Sequence, residues 1–570
     1  MSSKRWIIRQ HDDQAARTLA KELGVSPTLA TLLISRGCNS AEVAAEFLSP
    51  NIESLHDPYL MLGMQKAVER VLRAIDSREK ILVYGDYDVD GTTGTVVLRR
   101  ALKLLGAQTG FHVPHRFTEG YGVQQPALEK ARSEGYSLVI SVDCGIRAHE
   151  PLHWARDNGL DVIVTDHHLP DTSEGSPPAY CVLNPNQTGC EYPDKNLAGV
   201  GVAFKLAHAL FRERGREKLV APFLKMVAIG TVADVANLVG ENRTIVALGL
   251  ADLQNATNPG LRALMEVAGC GSGRGISSTD LGFRLGPRIN AAGRMDAARA
   301  VVDLFEAENS EDAMLIARAL DEKNRQRQVV QREIVELALA ELAQPQKGSS
   351  GHVAVIAGDG WHRGVIGIAA SKIAEKIYRP CLVISFEDDL GHGSARSIEP
   401  YHLLDGLSSC AHLFEKFGGH SHAAGLTIRR ENLDELRKAL NQHAAACLSE
   451  EELIPTISAE MELDPDEIGM KLLEELEALE PFGAGNSRPI FVSRSVRVLA
   501  EPRIMKEKHL KLSVSGHSGR ALEAVWWNGV DELNGQTPGT GSRIEIAYTV
   551  EPNVWQGVKR LQLSIKDIAM

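Results

Sequence analysis

The sequence predicts a multidomain α/β protein that ends in a small β domain. The chain has 570 residues, which is too many for a single core. In its first half, short apolar runs alternate with stretches of helical periodicity, as in a parallel, doubly wound sheet. Near the C-terminus, five short alternating runs separated by turn residues suit a small β-barrel such as an OB-fold. A β-sandwich would give the same pattern.

Composition is ordinary for a soluble globular protein, with 24% charged and 44% hydrophobic residues. No apolar run is long enough to cross a membrane, and the first residues lack the apolar core of a signal peptide. The eight cysteines include no C-x-x-C pair, which argues against a thiolate zinc site and a disulfide framework. We therefore expect a cytoplasmic protein without membrane contact.

The net charge of -12 opposes a role as a general nucleic-acid coat. A local basic groove can nevertheless coexist with acidic flanks. An acidic metal cluster also adds negative charge that its bound ions neutralise. Composition alone leaves the partner open.

The most informative stretch is residues 81–94, which read ILVYGDYDVDGTTG. The first four residues predict a short buried strand, and Asp86, Asp88 and Asp90 follow at alternate positions. Residues 95–105 then have apolar side chains at helical spacing. Ligands of open α/β sheets bind at the carboxyl ends of strands, and three carboxylates this close repel one another unless they share a cation. The alternative is a solvated, Asp-rich turn.

Acidic groups recur at the ends of the next two predicted strands. One strand ends at Asp143, and the other leads to Asp166, His167 and His168. Asp234 follows an apolar helical run further along the chain. Because the carboxyl ends of parallel strands meet at one edge of a sheet, the recurrence favours a metal site over coincidence.

Carboxylate oxygens with one or two imidazoles suit Mg²⁺ or Mn²⁺ better than zinc. The carboxylates outnumber what one ion needs, so we expect two divalent ions. Two such ions activate water and stabilise an in-line displacement at phosphorus. The predicted reaction class is phosphoester hydrolysis.

These motifs, which read DYDVDGTT, DCG, DHH and GTVAD, resemble the four successive motifs of the DHH phosphoesterase superfamily. The similarity to its bacterial RecJ family, the 5′-to-3′ single-strand-specific DNA exonucleases, extends over nearly the whole chain. The resemblance implies five metal ligands, with Asp143 as the bridging one. They are Asp88, Asp90, Asp143, His167 and Asp234.

The resemblance also implies catalytic roles for three further residues. His168 would donate to an oxygen of the scissile phosphate, and Asp166 would orient the two imidazoles. Many superfamily members have a histidine just before the paired aspartates of the first motif. Here Tyr84, Gly85 and Asp86 stand at that place, so Asp86 is the candidate to take over part of its role.

Two stretches are candidates for phosphate contacts. Arg284, Arg288, Asn290 and Arg294 lie in a glycine-containing basic segment, for which the alternative is a solvated loop. Further on, two compact glycine-rich turns carry His, Ser and Arg side chains, and this region resembles the DHH-associated domain. The resemblance implies substrate contacts at Ser394, Arg396, Gly418, Gly419, His420 and His422. A third glycine-containing stretch, residues 196–203, matches no phosphate-binding pattern and predicts only packing.

With the resemblance, the chain divides into five expected parts. A long helix with Ser310 as its N-cap joins the two α/β bodies, and a cleft is expected between them. The parts are an N-terminal helical segment (1–50), a DHH catalytic phosphoesterase domain (51–305), a connecting helix (306–346), a DHH-associated substrate-binding domain (347–452) and an OB-fold single-stranded-DNA-binding domain (453–570).

The C-terminal part is basic although the whole chain is acidic. From residue 481 onward there are twelve Lys and Arg against eight Asp and Glu. Trp526, Trp527, Tyr548 and Trp555 lie among them. Basic charge with interleaved aromatic rings is what single-strand binding requires, although any one of these tryptophans is as readily a core residue.

The features predict a metal-dependent phosphoester hydrolase, and the family resemblance implies that it is a single-stranded-DNA-specific exonuclease that degrades 5′ to 3′ in DNA repair and recombination. The family resemblance further implies a monomer that acts on single-stranded DNA with a 5′ end, with single-strand-binding protein as a partner. One alternative is a DHH phosphodiesterase for short oligonucleotides, cyclic dinucleotides or pyrophosphate, but such relatives generally lack this C-terminal domain. The other is a non-catalytic single-stranded-DNA-binding adaptor, which would be expected to lose metal ligands.

Overall fold

The computed structural model of the protein describes residues 4–116, 118–171, 173–271, 275–295, 298–343, 351–533 and 537–570. Within these residues the strands form four sheets. The multidomain α/β class predicted from the sequence is confirmed. No described helix is both long and apolar enough to cross a membrane.

The N-terminal segment contains β1 (Arg5–Ile8), α1 (Asp13–Leu23), α2 (Pro27–Ile34) and α3 (Ala41–Leu48). The sequence predicts only helices here, but β1 pairs in parallel with the strand Thr456–Ala459. Apolar side chains of all three helices share one core with the C-terminal sheet. Helices this short are not stable alone, so they need the surface that the distant part of the chain provides.

The first large sheet has five parallel strands in the order β3-β2-β4-β5-β6. Its central strands are apolar on both faces, because helices cover both sides. Its elements are α4 (Met64–Asp76), β2 (Lys80–Gly85), α5 (Val89–Leu104), β3 (Gln108–His112), α6 (Gln125–Ser133), β4 (Tyr136–Val142), α7 (His149–Asp157), β5 (Asp161–Thr165) and β6 (Cys181–Leu183).

The order of strands places a ligand crevice beside β2. From β2 the chain moves outward to β3, and then it returns to build β4, β5 and β6 on the other side. Ligands of open α/β sheets bind where the strand order reverses in this way. Asp86 follows β2 and Asp143 follows β4, so both lie at this crevice.

Helices complete the first body, and two glycines let these helices pack closely on the sheet and on one another. A Cβ on Gly94 of α5 would lie 2.5 Å from a methyl carbon of Val142, and one on Gly230 would lie 2.7 Å from a methyl carbon of Val200. The helices after the sheet are α8 (Gly199–Glu213), α9 (Leu224–Ala233), α10 (Gly240–Leu253), α11 (Pro259–Val267), α12 (Ser278–Asp280), α13 (Gly286–Arg294) and α14 (Arg299–Glu306). A π-helical turn, Leu281–Leu285, precedes α13.

The long helix predicted between the two bodies is present as α15 (Ser310–Leu342), with 33 residues. Its N-cap is Asn309 rather than the predicted Ser310, because the Asn309 side chain accepts the hydrogen bond from the N–H of Asp312. The helix packs on α11 and α13 of the first body. Its C-terminal half packs on α16 (Arg363–Ile377) of the second body.

The second body has a five-stranded sheet in the order β10-β11-β9-β8-β7, in which only β7 and β8 are parallel. The first stretch predicted as a compact turn is the strand β9 instead, and the second is the β10–β11 hairpin, in which residues 420–422 form the turn. Glycine-rich sequence has low strand propensity, but antiparallel neighbours on both sides supply the backbone hydrogen bonds. The elements around α16 are β7 (Ala354–Asp359), β8 (Cys381–Glu387), β9 (Leu390–Arg396), α17 (Leu403–Ser409), β10 (Phe414–Gly419), β11 (Ala423–Arg429) and α18 (Leu433–Cys447).

All five strands predicted near the C-terminus are present, and they close into a ring. β14 pairs with β18 and also with β16, so the ring runs β14-β18-β19-β17-β16. The elements of this part are β12 (Thr456–Ala459), β13 (Met461–Glu462), α19 (Met470–Glu477), β14 (Phe491–Val498), β15 (Arg503–Met505), β16 (His509–Ser515), β17 (Leu522–Trp526), β18 (Arg543–Trp555) and β19 (Val558–Ala569).

The aromatic residues of this ring divide between core and surface. Trp526 and Tyr548 are buried, whereas Trp527 is exposed and its ring lies 5.0 Å from that of His509. The side chain of Trp555 lies outside the described part of the chain. Trp527 is therefore the predicted aromatic residue that is placed to stack on a ligand from solution.

Arg243 of α10 joins three parts of the chain. Its guanidinium donates hydrogen bonds to the carbonyl oxygens of Phe47, Ala478 and Leu479, and it stacks 3.6 Å from the Phe47 ring. These carbonyls lie at the C-terminal ends of α3 and α19, where the helix dipoles favour a cation. Burial lowers the pKa of Arg243 to about 10, which leaves it charged at neutral pH.

We expect Arg243→Met to destabilise the junction by about 2–4 kcal/mol, because several buried carbonyl oxygens lose their donor while the apolar stem is kept. The midpoint of the first transition in urea measures this loss. Arg262→Met, which changes an exposed arginine on α11, is the control. Equal midpoints for the two variants would contradict the role assigned to Arg243.

Candidate metal centre

The aspartates after β2 meet the aspartate after β4. Asp86, Asp88 and Asp143 bring carboxylate oxygens within 4.8 Å of one another. Asp88 is the N-cap of α5, and its side chain accepts a hydrogen bond of 3.0 Å from the N–H of Gly91. The helix begins earlier than the sequence predicts, so Asp90 lies in its first turn. There the helix dipole and free N–H groups favour negative charge.

A second group of ligand atoms comprises Asp90, His167 and Asp234, again within 4.8 Å. Asp234 is the residue at which α9 ends, and His167 follows β5. Nε2 of His167 lies 3.2 Å from Oδ1 of Asp143, which connects this group to the first. The five ligands predicted from the sequence therefore lie together, and Asp86 joins them.

The unsatisfied atoms of this cluster fit divalent cations. Oδ1 of Asp86, Oδ1 of Asp143 and Nε2 of His167 are buried without a hydrogen-bond partner of suitable geometry. Such atoms are costly in a dry site, but all three are ligand atoms for a cation. The excess of carboxylate oxygen over imidazole fits Mn²⁺ or Mg²⁺. Asp143 also groups with His167 and His168, which suits a ligand shared between two ions.

Proton affinities reflect the crowding of the carboxylates. Burial, together with the neighbouring Asp88 carboxylate, raises the pKa of Asp90 to about 7. Burial and the charges of Asp90 and Asp88 raise the pKa of Asp234 to about 9. Burial also raises the pKa of Asp143 well above the ordinary value. Burial lowers the pKa of His167 to about 4, which favours the neutral imidazole that binds metals.

Main-chain N–H groups at the start of α8 hold Asp90. Gly199 N and Val200 N each donate to one oxygen of its carboxylate over 2.7 Å. A Cβ on Gly199 would lie 2.6 Å from Oδ1 of Asp143, so only glycine fits there. The sequence predicts only packing for residues 196–203, and the structure corrects this. The one signal was a glycine at a helix start, where N–H groups are free to bind an anion.

Asp166 holds His168 and the turn that carries it. Its Oδ1 lies 2.8 Å from Nδ1 of His168, and the carboxylate also accepts the N–H groups of Ile146, His167 and His168. Burial acts to raise the pKa of Asp166, but these hydrogen bonds outweigh it and lower the pKa. Burial likewise opposes protonation of His168, yet the Asp166 hydrogen bond raises its pKa.

A cavity of about 760 Å³ adjoins these residues and lies between the two bodies. His168 and Tyr121 line it from the first body, and His420 lines it from the second. The Tyr121 hydroxyl lies 3.4 Å from Nδ1 of His168 and 3.4 Å from the carbonyl oxygen of Asp143. Tyr121 could not be predicted from the sequence, because a tyrosine between two glycines carries no signal of its own.

Two of the arginines predicted to bind phosphate are bound by protein groups. Arg288 donates to Asp321 over 2.9 Å and to the carbonyl of Arg284 over 2.7 Å. Arg284 donates to the carbonyl of Gly269 over 2.9 Å, and Asn290 lies part-buried on α13. Asp321 neutralises Arg288 in this structure, and a phosphate contact of Arg288 stays a prediction.

Arg294 instead belongs to a group of arginines. Burial and the neighbouring charges of Arg116, Arg327 and Arg396 lower its pKa to about 10. The four come from the first body, the long helix and the second body, and no described carboxylate forms an ion pair with them. Arg294 also donates to the carbonyl of Gly364 over 3.0 Å, which connects the two bodies. We call these four residues the arginine cluster.

The predicted residues of the second body lie on β9 and on the β10–β11 hairpin. Arg396 of β9 donates to Ser394 Oγ over 3.2 Å and belongs to the arginine cluster. Gly418 pairs with Gly425 on the neighbouring strand, and Gly419 has a φ of 154°. His422 is exposed, and its carbonyl accepts the N–H of Ser397. Of the two predicted histidines, His420 is the one that lines the cavity.

Sequence models of three known families match this chain. The model described as "DHH family, N-terminal domain" matches residues 80–231, which contain the parallel sheet and its acidic ends. The "DHHA1 domain" model matches residues 348–446, and the "RecJ OB domain" model matches residues 459–567. The fold and site are thus those of a DHH-family protein with two further domains.

Curated relatives extend the similarity to the full chain. The single-stranded-DNA-specific exonuclease RecJ of Bacillus subtilis is 38% identical over 572 residues, which are 100% of this chain and 71% of the relative. The protein of the same name from Escherichia coli is 34% identical over 98% of both chains. The crystal structure of RecJ from Thermus thermophilus with Mn²⁺ has a TM-score of 0.84 and 28% identity, covering 99% of this chain and 79% of that one. This chain belongs to the RecJ family.

The raised pKa values predict how pH affects the metal-free protein. In the folded protein the pKa values of Asp90 and Asp234 lie above the ordinary aspartate value of about 4, so both residues bind protons more tightly than in the unfolded chain. The protonated carboxyl groups stabilise the folded state fully below the ordinary aspartate pKa. This stabilisation is lost as pH rises through the folded-state values of about 7 for Asp90 and about 9 for Asp234. In EDTA, we expect the melting temperature to fall as pH rises over this range.

Mn²⁺ should remove most of this fall, because it binds the folded state and replaces the protons. Differential scanning fluorimetry across the pH range measures both profiles. Asp234→Asn should flatten the profile in EDTA, whereas Asp157→Asn, at an exposed site on α7, should leave it unchanged. Parallel profiles with EDTA and with Mn²⁺ would contradict the prediction.

Proposed function

We propose that this protein is a metal-dependent exonuclease that hydrolyses single-stranded DNA from its 5′ end, in DNA repair and recombination. The observation that carries the proposal is the convergence of the predicted carboxylates and His167 at the ends of β2, β4 and β5. The relatives that cover nearly all of this chain are named as single-stranded-DNA-specific exonucleases, which supports the substrate and the reaction.

Each residue of the metal centre has a part in the proposed reaction. Asp88, Asp90, Asp143, His167 and Asp234 hold two divalent ions, Mn²⁺ or Mg²⁺, and Asp86 assists on the Asp88 side. The bound ions supply the Lewis acidity that phosphodiester hydrolysis requires. The main-chain N–H groups at the start of α8 keep the Asp90 carboxylate in a single orientation.

His168 acts on the substrate rather than on the ions. Asp166 occupies Nδ1 and favours the protonated ring, so Nε2 donates a hydrogen bond to an oxygen of the scissile phosphate. Tyr121 covers the same ring and limits its movement. Charge on the phosphate grows in the transition state, where a donor already in place is most effective.

The arginine cluster provides the second contact to DNA. These four guanidinium groups lie at the junction of the two bodies and form no ion pair with a carboxylate of the described residues, so they are suited to phosphates of the strand. Single-stranded DNA would pass between the bodies, with His420 on one wall and His168 on the other.

Three further properties rest on the family resemblance. The protein is proposed to act as a monomer in the cytoplasm and to meet single-strand-binding protein on its substrate. The OB domain, with Trp527 exposed beside His509, is proposed to hold the strand outside the cleft. Light scattering during size-exclusion chromatography would test the monomer.

Digestion of a 3′-labelled oligonucleotide tests the proposal directly. We expect stepwise shortening of a single strand with Mn²⁺ or Mg²⁺, none with EDTA, and none when the 5′ end is blocked. Tight binding without cleavage would indicate an adaptor. Cleavage confined to very short fragments would indicate an oligonucleotide phosphodiesterase.

Asp143→Ala should lower the rate by at least about a thousandfold, because the ligand shared between the two groups of metal-binding atoms is lost. Circular dichroism should show an unchanged fold. Retained nuclease activity in this variant would eliminate Asp143 as a bridging ligand.

Arg327→Gln should weaken binding of single-stranded DNA, measured by fluorescence anisotropy in the Asp143→Ala background to prevent cleavage. If one phosphate contact is lost, the slope of log K against log salt concentration should decrease in magnitude by about 0.7. Arg318→Gln changes an exposed arginine on the same helix and should preserve the slope. The same slope in both variants would exclude the arginine cluster from the DNA path.

A further inference from the structure

Two segments of the first body position the metal ligands. One contacts ligands that lie elsewhere in the chain, and the other carries the ligand Asp234. The first is residues 196–200, at the start of α8. Its Gly199 and Val200 N–H groups bind Asp90, and the backbone of Leu197 lies close to the His167 ring. Gly199 also lies against Asp143 so closely that a Cβ would not fit. This segment therefore contacts three of the five proposed metal ligands.

The second segment is residues 234–237, which begins with the ligand Asp234 at the end of α9. Val235 has a φ of 62°, so the chain turns sharply directly after the ligand. Since Asp234 lies at the end of its helix, the position of its carboxylate depends on how the following residues are held. The two segments are thus independent pieces of chain that must keep a fixed separation.

One buried side chain connects the two segments. Asn242, in the first turn of α10, is fully buried. Its Nδ2 donates one hydrogen bond of 2.5 Å to the carbonyl oxygen of Asn196 and another of 3.1 Å to that of Asn237. An amide nitrogen has two hydrogens, so both are used, one on each segment. Asn242 touches none of the proposed metal ligands.

Neighbouring polar groups reinforce this connection. Asn237 Nδ2 donates to Asn196 Oδ1 over 3.1 Å, so the two segments are also linked directly. Asp194 accepts the N–H of Asn196 over 2.8 Å and the N–H of Glu241 over 2.8 Å. Asp194 therefore fixes the start of α10, which carries Asn242, against the segment 196–200 to which Asn242 donates.

We propose that Asn242 is a positioning residue for the metal centre: it sets the distance between the segment that holds Asp90, Asp143 and His167 and the segment that carries Asp234. This inference rests on the proposed function only in the identity of the metal centre. Metal-bound ligands tolerate displacements of only about 0.2 Å. Loss of the Asn242 hydrogen bonds would let the two segments move apart and would weaken ion binding, although Asn242 contacts neither ion nor DNA.

Isothermal titration of Mn²⁺ into the full-length protein, without DNA, tests this proposal. We expect Asn242→Ala to weaken Mn²⁺ binding by about 10- to 100-fold. Asn237→Ala removes only the exposed direct link, so it should fold normally and show a smaller shift in the same direction. In nuclease assays, Asn242→Ala should raise the Mn²⁺ concentration for half-maximal rate, while the KM for DNA at saturating Mn²⁺ stays unchanged.

Asn441→Ala is the matched control. Its Nδ2 also donates to two carbonyl oxygens, those of Val353 and Arg437, but it lies in the second body. Melting temperatures in EDTA separate general loss of stability from loss of metal affinity. Mn²⁺ affinity within about twofold of the wild type in both Asn242→Ala and Asn237→Ala would overturn the proposal, as would an equal loss in Asn441→Ala. Wild-type protein that binds Mn²⁺ without cleaving DNA would instead overturn the proposed function alone.

Discussion

The repulsion among buried carboxylates is the constraint on which the rest of this structure depends. Asp86, Asp90 and Asp143 are almost inaccessible to water, and like charges at such separations are costly where the dielectric is low. The parallel sheet forces them together, because its strands end at one edge. The fold offsets part of the cost with N–H groups at the starts of α5 and α8. The repulsion that remains favours the binding of protons or divalent cations to the carboxylates.

The arginines could in principle have removed this repulsion by forming ion pairs with the carboxylates. In the described part of the chain they do not, although Arg294 lies near enough to Asp88 for their charges to interact. The carboxylates therefore stay available for metal cations, and the arginine cluster stays available for phosphates. A site built to hold both a cation and a phosphate needs this separation, because direct pairing would neutralise both binding sets. The cleft between the bodies is the place where the two partners meet.

Sequence reasoning succeeded where residue type alone carries the information. Short apolar runs ending in aspartate predicted β2, β4 and β5 together with the acidic edge. Residue type gives no information where a distant partner decides the contacts: nothing in the basic segment indicates that Asp321, on another helix, pairs with Arg288. The strand β9 could not be predicted, because glycine-rich sequence suggests turns and only the neighbouring strands make this stretch part of a sheet. Backbone donors such as Gly199 N have no side chain to signal them.

The metal centre also depends on how closely α5, α8 and α9 pack against the sheet and against one another, and three glycines allow this packing. A Cβ on Gly94, Gly199 or Gly230 would lie less than 3 Å from atoms of a neighbouring element. A larger residue at any of these positions would force the helix or the atoms beside it to shift, whereas a metal site needs its ligand distances kept to within about 0.2 Å. Asp90 and Asp234 lie on these helices, so their carboxylates would separate with them. The accuracy of the site is therefore set by the close packing of these helices on the sheet and on one another, and the charged residues supply the chemistry only once that packing is made.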